Sequence, residues 1–215
     1  MIKQFQLKGI AASSGIAIGL AHIIGKEEFA ITKDTITDKQ IPFQIQLFEE
    51  ALIATRKEIK DLQVRISAEM GRDAAEIFEA HLLVLEDRIL IEEVISRLKK
   101  ERINVVYVFS DVLKKYINVF SKIEDEYLKE RMADINDVGK RILRNMLGKT
   151  HKALEGIKEK VVVVAHDLSP SDTAAMYKKN ISAFATDIGG KTSHTAIMAK
   201  PLEIPAVVGL GEATS

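Results

Sequence analysis

The chain has 215 residues, 47% of them hydrophobic, which is enough for one large or two small domains with a buried core. Its 31 lysine and arginine residues balance its 31 aspartate and glutamate residues, so the net charge indicates neither a nucleic-acid nor a membrane-surface partner. Cysteine is absent, which excludes disulfides, thiolate metal sites and a cysteine nucleophile. The start has no signal-peptide core and no apolar run reaches membrane-spanning length, so the prediction is a cytoplasmic protein.

The first segment, residues 7–24, alternates small and β-branched residues around several glycines. This pattern predicts a strand, a glycine-rich turn and a second strand. The glycines lack the Gly-x-Gly-x-x-Gly spacing of a dinucleotide site, so the turn is interpreted as structural.

Apolar residues then recur three and four positions apart in four successive stretches, which predicts a four-helix region over about residues 40–147. Gly71 interrupts the pattern after the first stretch, and Gly148 ends the set. The four stretches cover residues 45–66, 77–89, 105–120 and 135–146.

The last third of the chain alternates between strand and helix patterns. The β-branched run 161–165 is typical of a buried strand, and Ser169-Pro170 after it is typical of a helix start. Further strands are predicted at 181–186 and 206–208, so this part is an α/β unit. Residues 7–24 cannot bury both of their faces alone, which favours their joining this unit. The predicted domains are therefore an α/β subdomain of residues 1–24 and 148–215 and a helical subdomain of residues 33–147 inserted into it.

The loop before the last predicted helix carries a candidate nucleophile. Gly189-Gly190 permits a sharp turn out of the strand, and a helix start near Thr192 places His194 in the first helical turn. Free N–H groups and the helix dipole favour an anion there, and Lys191 adds a nearby cation. A neutral imidazole nitrogen is a competent nucleophile toward phosphorus, which suggests a covalent phosphohistidine. On spacing alone, an incidental capping histidine after a Gly-Gly turn fits equally well.

The run from residue 189 to residue 200 resembles the phosphohistidine signature of phosphoenolpyruvate-utilising enzymes. Two more blocks, residues 9–19 and residues 78–87 with 125–131, are similar to the N-terminal part of the Enzyme I family, the phosphoenolpyruvate-protein phosphotransferases of bacterial sugar transport. This resemblance extends from about residue 9 to residue 215 and implies an α/β phosphohistidine subdomain with an inserted all-α subdomain of two helical hairpins. The chain departs from the family pattern at four positions. The family often has proline where Ser14 stands, threonine where Ser169 stands, and arginine where Lys191 and Lys200 stand.

The resemblance also implies roles for individual residues. His194 is expected to accept a phosphoryl group on Nε2 from phosphoenolpyruvate and to pass it to the carrier HPr, with Ser169, Lys191 and Thr192 beside it. The helical subdomain is expected to bind HPr or an HPr-like carrier through six residues, which are Glu76, His81, Leu82, Leu85, Glu86 and Arg131. A locally satisfied helix residue is the simpler interpretation of His81, which is therefore predicted as a contact and not as a catalyst.

Enzyme I continues into a C-terminal barrel that binds phosphoenolpyruvate and magnesium and forms the homodimer, and no residue here matches it. The prediction is that this chain is a monomer without a cofactor that exchanges phosphate with HPr but does not take it from phosphoenolpyruvate.

Two alternatives stay open. One is the swivelling phosphohistidine domain of a dikinase-like enzyme, although those enzymes carry an ATP-grasp domain where this chain has helices. The other is a non-catalytic module in which the helices bind a partner and His194 is structural.

Overall fold

The computed structural model describes residues 5–25, 27–120, 126–150, 154, 157–176, 180–190 and 194–214, with only the backbone for residues 120, 126–131, 194, 201 and 202. Two compact units make up the chain. The first contains residues 1–27, 68–74 and 152–215, and the second contains residues 28–67 and 75–151. The α/β unit thus extends to residue 27 and resumes at residue 152, and it also includes the short segment 68–74, which sequence reasoning placed with the helices.

The first unit is built on a five-stranded sheet in the order β1-β5-β4-β3-β2. The strands are β1 (Ile10–Ser13), β2 (Leu20–Ile24), β3 (Val161–Ala165), β4 (Ile181–Thr186) and β5 (Ala206–Val208). β2 to β5 run parallel, and β1 pairs with β5 in the antiparallel direction. β1 and β2 are neighbours in sequence but form the two opposite edges of the sheet, so the first and last parts of the chain together make one α/β unit.

The core of this unit lies between the sheet and two short helices, α7 (Pro170–Ala175) and α8 (His194–Leu202). β3 is apolar throughout because a central parallel strand has little exposed surface. α8 packs on β1, β5 and α7. It ends at Leu202, one residue after Pro201. The core side chains include Ala12, Val163, Leu168, Met176, Phe184, Ala196, Ala199 and Val208.

The second unit is helical and contains most of the 30-residue helix α1 (Ile41–Met70). Its other helices are α3 (Ile77–Leu85), α4 (Arg88–Glu101), α5 (Val105–Phe120) and α6 (Glu126–Met146), while the four-residue α2 covers Arg72–Ala75. The helical insertion is confirmed, but its second predicted helix is two helices. The break is at Asp87, whose carboxylate accepts hydrogen bonds from the N–H groups of Ile89 (2.9 Å) and Leu90 (3.1 Å) and so caps α4.

Apolar side chains from several helices fill the interior of this unit. Phe48 of α1 packs against Phe109 of α5 with ring centroids 5.4 Å apart.

The longest helix, α1, carries charged residues on its outer face. Within the described parts of the chain, no helix combines the length and the apolar character needed to cross a membrane.

Candidate active site

His194 is the first residue of α8, and the described residues after β4 end at Gly190. Gly189 in the segment after β4 has φ +120°, which is accessible to glycine and strained for other residues. Only the backbone of His194 is described, and the predicted site residues Lys191 and Thr192 lie outside the described residues. The path from strand to glycine turn to helix therefore agrees with the sequence interpretation, while the roles of these side chains stay predictions.

A hydrogen bond ties the start of α8 to the connection between β3 and α7. The buried Thr195 hydroxyl donates to the carbonyl oxygen of Leu168 at 3.0 Å. Leu168 precedes Ser169, and Thr195 follows His194. The bond thus brings the backbones of two predicted site residues, Ser169 and His194, to the same place in the fold.

Ser169 is the N-cap of α7 and forms a reciprocal capping box with Asp172. Its hydroxyl accepts from the backbone N–H of Asp172 at 3.1 Å and donates to the Asp172 carboxylate at 2.8 Å. The Ser169 N–H also donates to that carboxylate, at 3.0 Å. The hydroxyl is therefore oriented by the cap, and the place of Ser169 beside the His194 side chain, which the resemblance implies, stays a prediction.

Asp187 directly follows β4, and its side chain is buried. Its carboxylate accepts hydrogen bonds from the N–H groups of Ala213 and Thr214 and from the Thr214 hydroxyl. The Nδ1 atom of His166 lies 3.4 Å from the same carboxylate. Burial alone would raise the pKa of Asp187, but the hydrogen bonds from Thr214, Ala213 and His166 together hold this pKa below its ordinary value.

His166 occupies the same position after β3 that Asp187 occupies after β4. Its side chain is 41% exposed, in contrast to the buried Asp187 carboxylate. If the Nδ1 nitrogen carries the proton, it donates to Asp187 and leaves Nε2 as an acceptor.

Because β3, β4 and β5 run parallel, their carboxyl ends lie together at one end of the strands, which is where open α/β sheets bind their ligands.

Sequence reasoning missed Asp187, His166, Thr195 and Thr214 as members of this site. A signal was available for two of them, because Asp187 and His166 each follow a buried strand at its carboxyl end. Thr214 had no such signal, since its hydrogen bond to Asp187 joins residues 27 positions apart.

The predicted partner contacts lie in the helical unit, and the structure divides them into exposed and buried residues. Glu76 and Glu86 are exposed, and Leu82 is half-buried. His81 and Leu85 are buried, with 0% and 3% of their surface exposed, so in this structure their side chains offer no surface to a partner, and their predicted contacts stay untested. They belong to the apolar stripe that packs α3 into its own unit. The side chain of Arg131 is outside the described set.

His81 is held by its own unit. Its Nε2 atom lies 3.1 Å from the buried carboxylate of Asp134, and its ring meets that of Phe78 edge to face with centroids 5.5 Å apart. These contacts support the simpler interpretation of His81 as a structural residue.

The described residues include no group of three or more histidine, aspartate and glutamate side chains positioned to bind a metal ion. No described residue is therefore assigned as a magnesium ligand.

Two family models match the chain, one described as PEP-utilising enzyme, N-terminal, over residues 8–131, and one described as PEP-utilising enzyme, mobile domain, over residues 157–215. The phosphoenolpyruvate-protein phosphotransferase of Priestia megaterium is 44% identical over 95% of this chain and 35% of its own length. That of Listeria innocua is 43% identical over 98% of this chain and 36% of its own length. The chain spans about a third of the length of these relatives.

Two solved structures are similar over nearly the whole chain. An NMR solution structure of Enzyme I is 47% identical with a TM-score of 0.73, covering 98% of this chain and 85% of that one. The N-terminal domain of Enzyme 1 - Nitrogen shares the fold at a TM-score of 0.63 and 22% identity, over 95% of this chain and 83% of that one. Because a family model matches more than half of its residues and the Enzyme I structure is covered over most of its length, this chain belongs to the family of PEP-utilising enzymes.

Proposed function

We propose that His194 is a phosphohistidine that carries a phosphoryl group between phosphoenolpyruvate and a histidine phosphocarrier of the HPr type. The observation that carries this proposal is the position of His194 at the N-terminal end of α8, at the carboxyl edge of a parallel sheet. Backbone N–H groups of a first helical turn favour a phosphoryl group placed there. The family membership and the names of the relatives support the same chemistry.

The reaction requires two displacements at phosphorus. In the first, the lone pair of the His194 ring nitrogen forms a P–N bond while the P–O bond of phosphoenolpyruvate breaks, and the enolate that leaves takes up a proton to become pyruvate. In the second, the carrier's histidine attacks the same phosphorus and the bond to His194 breaks. Each step moves one phosphoryl group, so no oxidant or reductant is needed.

The exposed side of α3 supports a docking face for such a carrier. Glu76, Glu79, Leu83 and Glu86 all point outward, and their spacing of three, four and three residues places them on one side of the helix axis. Leu83 is 62% exposed and lies among acidic residues, an arrangement that suits an apolar contact with a polar rim. A carrier with a basic rim around its active histidine complements this face.

The donor site belongs to a part of the family that this chain does not match. The relatives are almost three times as long, since the chain covers 35% to 37% of each. We place phosphoenolpyruvate binding, the magnesium ion and the dimer contact in that remaining part, and the whole protein in the cytoplasm. The 215-residue chain is accordingly expected to exchange phosphate with the carrier and not to be phosphorylated by phosphoenolpyruvate.

The test is to incubate the chain with phosphorylated HPr and to measure intact mass and phosphorus NMR, with His194→Ala as control. A single acid-labile phosphoryl group on Nε2 that the control lacks is the expected result. No transfer to a folded wild-type chain would overturn the proposal and favour the binding-module alternative.

A second measurement separates docking from chemistry. Leu83→Ser is expected to raise the apparent KM for phosphorylated HPr about tenfold, because an apolar residue central to an interface is worth about 1–2 kcal/mol. Phe43→Ser is the matched control, since Phe43 in α1 is 63% exposed against 62% for Leu83. Equal KM values for the two variants would move the docking face away from α3.

A further inference from the structure

We propose that Asp187 and Thr214 form a clamp that positions the loop leading to His194, which makes both of them positioning residues for phosphoryl transfer. The inference rests on the proposed function of His194, and it concerns residues to which the sequence interpretation assigned no role.

The carboxylate of Asp187 joins three segments of the α/β unit. One is its own loop after β4, the second is the end of β3 through His166, and the third is the segment after β5 through Ala213 and Thr214. Both carboxylate oxygens are used, because Oδ1 accepts from the Ala213 N–H while Oδ2 accepts from the N–H and the hydroxyl of Thr214.

The backbone of the same loop is held on both sides. The N–H groups of Asp187 and Ile188 donate to the carbonyl oxygens of Ala165 and His166, each at 3.1 Å. The carbonyl oxygen of Asp187 accepts from the N–H of Gly211 at 2.9 Å. Residues 187 and 188 are therefore fixed between the β3 and β5 exits, seven and six positions before His194.

The segment after β5 also approaches the Gly-Gly turn itself. A Cβ atom at Gly209 would lie 3.1 Å from the carbonyl oxygen of Gly189, closer than an ordinary contact. Gly209 also has φ +72°, a backbone conformation that favours glycine. On the far side of His194, Thr195 is bound to Leu168. The histidine thus lies between two anchored points, one at residues 187–189 and one at Thr195.

Burial explains why this role is positioning and not contact with the substrate. Only 4% of the surface of Asp187 is exposed, so the carboxylate is unavailable to a phosphoryl group or a carrier. A buried charge is costly unless hydrogen bonds satisfy it, and donors from two other segments satisfy this carboxylate in one arrangement of the three segments. Losing one bond leaves the carboxylate under-satisfied and frees the loop to shift, and a small shift at a reacting nitrogen costs rate steeply.

The experiment compares Thr214→Val, which keeps the shape of threonine without its hydroxyl, with the conservative Thr214→Ser and with Thr35→Val, an exposed threonine of the helical unit. Phosphoryl transfer from phosphorylated HPr is followed in single turnovers over a range of carrier concentrations. Thr214→Val is expected to lower the limiting rate about tenfold at an unchanged KM, with the rate largely restored in Thr214→Ser and unaffected in Thr35→Val. A purely structural loss of folded protein would lower the amplitude and leave the rate constant unchanged.

Amide hydrogen exchange at Asp187 and Ile188, whose N–H groups are hydrogen-bonded to Ala165 and His166, provides a readout that needs no phosphate. Thr214→Val is expected to speed exchange there about tenfold, and Thr35→Val to leave it unchanged. If Thr214→Val changes neither the rate of phosphoryl transfer nor the rate of amide exchange, the clamp is overturned. The function of His194 still stands in that case, provided that the wild type is labelled. An unlabelled wild type would overturn the proposed function, and the positioning role with it, whatever the exchange shows.

Discussion

Two buried carboxylates, Asp134 and Asp187, each bind a histidine, and the exposure of the histidine separates a structural pair from a site. His81 beside Asp134 is 0% exposed, whereas the side chain of His166 beside Asp187 is 41% exposed at the edge of the sheet. The first pair therefore contributes to the stability of the helical unit. The second lies where a ligand can approach, and its carboxylate orients the neighbouring loop.

Replacement of His81 by leucine tests the structural role. The change removes a buried hydrogen bond to Asp134 and leaves that carboxylate with less compensation, so we expect a loss of about 2–3 kcal/mol in the free energy of unfolding. Urea denaturation gives this value. Leu83→Ala on the exposed side of the same helix is the control and is expected to change stability by about 0.5 kcal/mol or less. Equal losses in the two variants would contradict the burial of His81.

The pKa of Asp187 predicts a pH dependence. Because this pKa is lower in the folded chain than in the unfolded one, the ionised carboxylate stabilises the fold at neutral pH, and this contribution is lost as pH falls through the ordinary aspartate range, about 4, toward the folded-state pKa. Asp187→Asn is expected to cost about 1–3 kcal/mol at pH 7 and progressively less below about pH 4. Urea denaturation between about pH 7 and pH 3 measures the difference from the wild type, with the exposed Asp73→Asn as control. A difference that stays constant with pH would exclude this role of the carboxylate.

At the scale of helices, a single capping residue and a single glycine determine how the helical unit packs. Asp87 ends the continuous pattern of residues 77–89 and starts α4, because its carboxylate satisfies two free N–H groups. Gly139 lies in α6 where it meets α5, and a Cβ atom there would overlap the buried side chain of Leu113. The absence of a side chain at residue 139 therefore sets how closely these two helices approach.

Gly139→Ala has two opposing effects that differ in size. Alanine gains about 1 kcal/mol of helix propensity over glycine, while forcing an extra methyl against a packed leucine costs about 1–3 kcal/mol. A Cβ atom 2.7 Å from Leu113 Cδ1 favours the second effect, so we expect a net destabilisation of about 1 kcal/mol. Combining the change with Leu113→Ala makes room for the methyl, and thermal unfolding of the double-mutant cycle should show a coupling of about 1 kcal/mol. Additive effects would mean that the two residues do not meet.

At the scale of the molecule, the two units differ in the range of their contacts. The helical unit combines contacts between helices adjacent in sequence, α4 with α5 and α5 with α6, with longer-range ones such as Phe48 to Phe109. In the sheet, Leu20 pairs with Val161 and Ile10 with Val208, which are farther apart in the chain. The α/β unit is completed only when both ends of the chain are present, because its two edge strands come from the first part.

This difference predicts an order of folding. Local contacts close at a lower entropic cost than pairings between distant segments, so amides of the helical unit, such as Ile59, should gain protection before those of β3, such as Val163. Pulsed hydrogen exchange during refolding measures both, and simultaneous protection would show that the two units fold as one.

The sequence by itself determined the features that depend on neighbouring residues. The apolar period of the helices, the β-branched strand 161–165 and the Gly-Gly turn before His194 were all predicted, because helix periodicity, strand burial and glycine conformations act over a few positions. The helical insertion followed from the change of period along the chain, and the resemblance added the phosphoryl chemistry of His194.

Only the tertiary structure decided which faces and which distant residues meet. It turned His81 and Leu85 inward and Leu83 outward, since the orientation of a helix depends on what it packs against. It placed β1 and β2 at opposite edges of the sheet and brought Thr214 to Asp187. These contacts join residues far apart in the chain, and a buried carboxylate and its donors are recognisable as partners only once the fold has removed them from water.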